Sequence, residues 1–173
     1  MLAQDGHHLD RNWHDFDLAD KFLHKVIAAR PDSPLAVVAH GRQRVTAFLG
    51  TDAAYRRMAT TIMGRHMHSE RQIYRALMRV GGIDGAEGVL SANFVSGHTL
   101  KYHWFLSHAP TTLTTLQGAT VKVRVHNGHV VLVDRDTASP NSRIIRPLRN
   151  LNAGNRQVAH GVTAVLSPDV STG

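Results

Sequence analysis

The side chains in this sequence with the widest chemical reach are its thirteen histidines and its arginines. Each histidine could titrate near neutral pH or ligate a metal through a neutral ring nitrogen. The closest pairs are His7-His8 and His66-x-His68. Zinc needs three or four ligands in tetrahedral geometry, usually on ordered elements with supporting partners. His66 and His68 fall between two helical patterns, His7 and His8 lie near the terminus, and no His-Glu-x-x-His occurs. His66 and His68 are therefore weak metal candidates, and no cofactor is expected. The absence of cysteine removes thiolate metal sites, cysteine nucleophiles and disulfides together. There is no Gly-x-Ser-x-Gly elbow and no Gly-x-x-x-x-Gly-Lys phosphate loop. Glycines 82, 85 and 88 miss the dinucleotide spacing. Glu70 and Glu87 are the chain's glutamates, so a paired-carboxylate acid–base site would rest largely on aspartates. No catalytic constellation emerges. The expectation is a non-enzymatic binding module. The alternatives are a small-ligand or metal-binding protein using the surplus histidines, or a cytosolic enzyme of unrecognised type.

The net charge of +7 favours anionic partners without specifying a fold. Arg71, Arg75 and Arg79 share a helical face, which reads as solvated surface. Arg143, Arg146, Arg149 and Arg156 crowd the segment before the last strand. Guanidinium pairs well with phosphate, sulfate and carboxylate, so these four are candidate contacts for an acidic glycan or cell-envelope polymer. Nucleic acid is disfavoured, because aromatics make up 6% of the chain and none interleave with the arginines as stacking platforms. Tyr102 and His103 form a further candidate contact pair. For His103 and for His160, which stands on an apolar strand pattern, a buried imidazole satisfied by hydrogen bonds is the favoured alternative. Thr51-Asp52 reads as local capping, Thr51 accepting from free helix N–H groups and Asp52 sitting at the positive end of the dipole.

The elements that would carry these residues change period midway. Ala19, Phe22, Leu23, Val26 and Ile27 recur at helical spacing from an Asp17 cap to Pro31. A short strand is expected over 44–49, then a helix with Tyr55, Met58, Ala59 and Ile62 on one stripe, ending at Gly64. Ser69 and Gln72 make a capping box ahead of Ile73, Ala76, Leu77 and Val80, with Gly81-Gly82 stopping that helix. Beyond this the pattern alternates. Leu100, Tyr102, Trp104 and Leu106 read as a strand, with Tyr102 and His103 on opposite faces. Val121, Val123 and Val125 form a second strand, turned by Asn127-Gly128 into a return strand from His129 to Asp134 that sets Val125 opposite Val130 and Val123 opposite Leu132. A last strand spans 157–166 and Pro168 closes it. Helices first and strands later imply an α+β domain with an antiparallel or mixed sheet. No apolar run approaches the roughly 18 residues of a membrane-spanning helix, and residues 1–10 lack the apolar stretch of a secretory signal.

Four segments in order resemble the fasciclin (FAS1) domain family. They are Val45-Thr46-Ala47-Phe48-Leu49-Gly50-Thr51-Asp52-Ala53-Ala54-Tyr55, then Leu100-Lys101-Tyr102-His103, then Thr115-Leu116-Gln117-Gly118 with the Asn-Gly hairpin, and finally Asn155 through His160 to Val165, Leu166 and Pro168. Leu49-Gly50 stands where the family has Ala-Pro, Thr163 where it has Asp, and the Asp-Ile pair that eukaryotic relatives use for receptor contact is missing. The resemblance is to a single-domain member of bacterial type. It implies a wedge of two mostly antiparallel β-sheets with N-terminal helices packed against it, and a cell-adhesion or binding role for a protein or anionic envelope polymer. Thr46, Phe48, Thr51, Asp52, Tyr55, His160, Val165 and Leu166 would be its structural residues. The expected organisation is a flexible segment over 1–14, one domain over 15–169 and a tail over 170–173. The setting is secreted or cell-surface, with a signal peptide outside this sequence, while a cytosolic setting stays open.

Overall fold

A computed structural model of the chain describes residues 9–167; His7, His8 and Pro168 lie outside them. Its helical half starts with α1 (Asp17–Ala29) and the single turn α2 (Ala36–Ala39), followed by β1 (Val45–Gly50), α3 (Asp52–Met63) and α4 (Glu70–Ser91). The remainder is β2 (Phe94–Ser96), α5 (Tyr102–His108), β3 (Thr111–Thr114), β4 (Thr120–His126), β5 (His129–Val133), β6 (Ser142–Arg143), a 3-10 turn at Arg146–Leu148 and β7 (Gln157–Val162). Two sheets form, ordered β2-β1-β7 and β3-β4-β5-β6. All pairings are antiparallel except β1 with β7, which run parallel. This is the α+β architecture with two mostly antiparallel sheets that the sequence implies.

The three-stranded sheet lies between two apolar cores. Val45, Ala47 and Leu49 of β1 pack with Leu18, Phe22, Val26, Tyr55 and Ile73 of the helices. Phe48 of the same strand packs with Phe105, Val123, Val130 and Leu132 on the other side. Parallel strands covered on both faces read as continuous apolar runs, and β1 is buried at every position. The hairpin has the expected register, with Val125 opposite Val130 and Val123 opposite Leu132. Asn127 (φ 49°) and Gly128 (φ 72°) supply its two left-handed positions.

Four local readings are corrected. The Tyr102–His108 segment is a helix, not a strand. Tyr102 and Phe105, three residues apart, are its buried side chains, while Leu106 is exposed; a strand would have placed Leu106 inside and Phe105 outside. Gly82 does not end α4. It kinks the helix through φ 59°, ψ −155°, and the chain resumes helical geometry to Ser91, because Val89 and Leu90 still bury against the helical core. Asp17 is the first residue of α1 and not its cap; Phe16 precedes it with no capping side chain. The last strand also stops at Val162, short of Leu166.

The motif segments occupy structural positions. Thr51 accepts from the Ala54 N–H at 3.4 Å and caps α3. Thr46 Oγ1 accepts from the Leu100 N–H at 2.8 Å and donates to the His98 carbonyl at 2.9 Å. Leu166 is clamped by Asn93, whose Oδ1 accepts from its N–H and whose Nδ2 donates to its carbonyl. Gly50 has a steric reason to be glycine, since a Cβ there would lie 2.7 Å from Val165 Cγ2. Part of the segment expected to be flexible contacts the core. Leu9 and Trp13 pack on the helical core, and the Trp13 and Asp15 carbonyls accept from Ala53 and Asp52 N–H at 3.0 Å each.

Candidate functional site

His160, fully buried on β7, organises the surface that carries most of the predicted contact residues. The Asn150 N–H donates to its Nδ1 at 3.2 Å. Its Nε2 therefore carries the proton and donates to the Leu100 carbonyl at 2.8 Å. Burial holds the imidazole below its ordinary pKa, with the Leu100 carbonyl acting the other way, so the ring is neutral at pH 7. One buried ring thus pins two loops. Asn150 extends the link, because its Oδ1 accepts from the Tyr102 N–H at 2.7 Å and satisfies an orphan donor at the start of α5.

Tyr102 then points to the hairpin turn. Its hydroxyl donates to the Gly128 carbonyl at 3.4 Å, and Arg146 Nη2 donates to the same oxygen at 2.7 Å. The Arg149 guanidinium lies 5.5 Å from the Tyr102 ring centroid, within cation–π range, and its Nη1 donates to the Arg146 carbonyl at 2.6 Å. Tyr102, Arg146 and Arg149 are thereby brought together. His103 stands beside them on α5 and is exposed, which corrects the expectation of a buried ring. Arg143 is exposed on the edge strand β6. Arg156 does not join the group and donates instead to the Arg42 carbonyl at 2.9 Å. None of Arg143, Arg146, Arg149 and Arg156 has a carboxylate partner among the described residues. From residue 88 onward the sequence carries eight lysines and arginines against three aspartates.

His66 and His68 meet edge-on with ring centroids 5.2 Å apart, but among the described residues neither belongs to a group of three or more ligand side chains. The clusters that do form are acidic, and sequence reasoning missed them. Oxygen atoms of Asp15, Asp17 and Asp52 lie within 4.8 Å of one another, as do those of Asp10, Asp15 and Glu70. Asp52 and Glu70 have no exposed surface. Asp52 Oδ1 accepts from the Leu18 N–H at 2.9 Å, supplying the cap that α1 lacks in its own sequence. Burial, then Asp15, pushes the Asp52 carboxyl up to about 9. Burial likewise raises Glu70 to about 7, with the Asp10 backbone acting in the opposite direction. The local signal that could have found this cluster is Asp10-x-Asn12-x-x-Asp15-x-Asp17, an oxygen-rich run ahead of a helix.

No family model matches the sequence, and no curated protein matches it. Among solved structures, the FAS1 domain pair from the insect cell adhesion molecule fasciclin I superposes with a TM-score of 0.59 at 11% identity. The match covers 88% of this chain and 47% of that one, so the chain spans about half its length. At that identity the likeness establishes the fold alone: the chain has a FAS1-like fold. No helix among the described residues is long and apolar enough to cross a membrane.

Proposed function

We propose that the chain is a non-catalytic binding module, secreted or held at a cell surface, that recognises an acidic glycan or other anionic envelope polymer through Arg146, Arg149 and Tyr102, with Arg143 and His103 flanking them. The observation that carries the reading is the Arg149–Tyr102–Arg146–Gly128 arrangement. Two guanidinium groups are held by carbonyls and an aromatic face, and neither is ion-paired to a carboxylate among the described residues. Immobilising the arginines in advance reduces the side-chain entropy that an anion would otherwise have to overcome on binding. The neighbouring structure's origin in a cell adhesion molecule supports a binding role of this class.

Calorimetric titration with heparin and with polygalacturonate tests the proposal. Binding is expected to weaken steeply with added salt. The Arg146→Ala/Arg149→Ala double variant should lose about 2 kcal/mol, or roughly 30-fold in Kd. No binding by the native chain, or binding indifferent to salt and to both arginines, overturns the assignment.

A further inference from the structure

The acidic cluster at the helical end is not used by the reading above and stands independently of it. Its members come from three elements and the segment before them: Asp10 and Asp15 from that segment, and Asp17, Asp52 and Glu70 as the first residues of α1, α3 and α4. Asp15 belongs to both triads, so the five carboxylates form one continuous group. Asp15 Oδ1, Asp52 Oδ2 and both Glu70 oxygens are buried with no partner in good hydrogen-bond geometry, although the Asp10 backbone lies near Glu70 and the Asp15 carboxyl near Asp52. Neither Asp15, Asp52 nor Glu70 is ion-paired to a lysine, arginine or histidine among the described residues. A buried acceptor left unmatched costs about 1–3 kcal/mol, and more when charged, so the group is under strong pressure to take up something positive.

We propose that Asp15, Asp52 and Glu70, together with Asp10 and Asp17, form a binding site for calcium. The oxygens of each triad all lie within 4.8 Å of one another, close enough for a single ion with oxygen ligands at about 2.4 Å to touch all three. Magnesium demands ligands at about 2.0–2.1 Å and keeps several waters, which suits oxygens buried as deeply as those of Asp52 and Glu70 less well. The set contains no imidazole or thiolate, so zinc and copper are not its natural occupants. The charge balance points the same way. Three helix N-termini contribute roughly +0.5 each, against five carboxylates, and leave enough negative charge for a divalent ion. Asp52 Oδ1 stays committed to the Leu18 N–H, leaving Oδ2 for the metal. Asp10 Oδ1 accepts from the Asn12 N–H at 2.5 Å, and an oxygen of the same carboxylate lies within 4.8 Å of Glu70 and Asp15 oxygens. The competing occupant is a proton shared between Asp15 and Asp52.

The test uses the full chain, treated with chelator and dialysed. Calcium chloride is titrated in by calorimetry, and terbium luminescence is excited through Trp13, which lies in the sequence between Asp10 and Asp15. Saturable binding near one ion per chain is expected, with a rise in Tm, sensitised terbium emission displaced by calcium, and a weaker response to magnesium. Asp15→Asn should weaken calcium at least about tenfold because both triads share it. Glu70→Gln should do the same while its neutral amide keeps the fold, which circular dichroism checks. Asp32→Asn, at an exposed carboxylate outside the cluster, should change nothing. Absence of heat and of any Tm shift up to about 10 mM calcium overturns the proposal in favour of the shared proton. So does binding that survives Asp15→Asn and Glu70→Gln unchanged, or magnesium acting as strongly as calcium.

Discussion

Replacing His160 by alanine removes the ring that pins the Leu100 and Asn150 loops to β7. The buried Leu100 carbonyl loses its partner at about 1–3 kcal/mol, and the partly buried Asn150 N–H loses its own at a smaller cost. The ring also packs between Phe48 and Phe105, with centroids 6.2 Å and 5.5 Å away, so alanine leaves a cavity as well. These costs are not additive, and a net loss of about 3–5 kcal/mol is expected, a large share of a domain's typical stability. The same ring fixes a pH dependence. In the unfolded chain it titrates at its ordinary value of 6.5, and in the fold burial holds it lower. Between those two values the unfolded chain binds more protons. The native protein is therefore stabilised above pH 6.5 and loses up to about 1.4 kcal/mol per unit as pH falls toward the folded value. Urea denaturation of native and His160→Ala proteins between about pH 7.5 and about pH 5.5 isolates the effect, since the other histidines are common to both. A loss below about 1 kcal/mol, or an identical acid slope in the two proteins, would refute the tethering role.

Val123 is fully buried and paired with Leu132 and Thr111. Val123→Asp would place an unpaired charge between the sheets at a cost above about 4 kcal/mol, and should leave no cooperative thermal transition; a soluble variant with unchanged melting contradicts the packing. Gly128→Ala combines a left-handed residue with a Cβ 2.9 Å from Arg146 Nη2. It should cost about 1–2 kcal/mol and displace that arginine. Anionic-polymer binding should weaken in step with the lowered Tm, and binding that stays at the native level separates Arg146 from recognition.

Which parts of this architecture were legible depended on where each residue's partners lie in the chain. The β4–β5 hairpin was readable to the register because Asn127-Gly128 and the alternating valines are neighbours in sequence, so the turn chemistry and the apolar face state the same pairing. Leu100–Leu106 failed because Tyr102, Trp104, Phe105 and Leu106 satisfy period two and period three alike over so short a run. Tertiary burial of Phe105 against Phe48 decides for helix. At Gly82 the local signal for an interruption was sound, but continuation beyond it is set by packing on α1, which glycine content does not encode. The tethering of Tyr102 to Asn150 and His160, on which the basic face depends, runs through contacts 48 and 10 residues apart. The acidic cluster was hidden by a sufficient local explanation: Thr51-Asp52 does begin a helix, and nothing nearby reveals that Asp52 also caps α1 from 34 residues away.

The two charged regions owe their separation to one strand. Because β1 buries side chains on both faces, Val45, Ala47 and Leu49 belong to the helical core, while Phe48 belongs to the core between the sheets. The acidic cluster sits where β1 hands over to α3 through Thr51-Asp52. His160, which faces Phe48 from β7, sits where the other core meets the Tyr102 loop. A change in the ionisation or ligation of Asp52 therefore acts first on the seating of α1 and α3, and reaches the arginine face only through the packing of β1 against β7. Such a layout lets the helical end govern how firmly the domain is held together while the hairpin end keeps its positive surface free for a partner. Removing the negative charge of the buried carboxylates, by a proton or by a metal ion, leaves the arginines to dominate the field that an approaching polyanion meets.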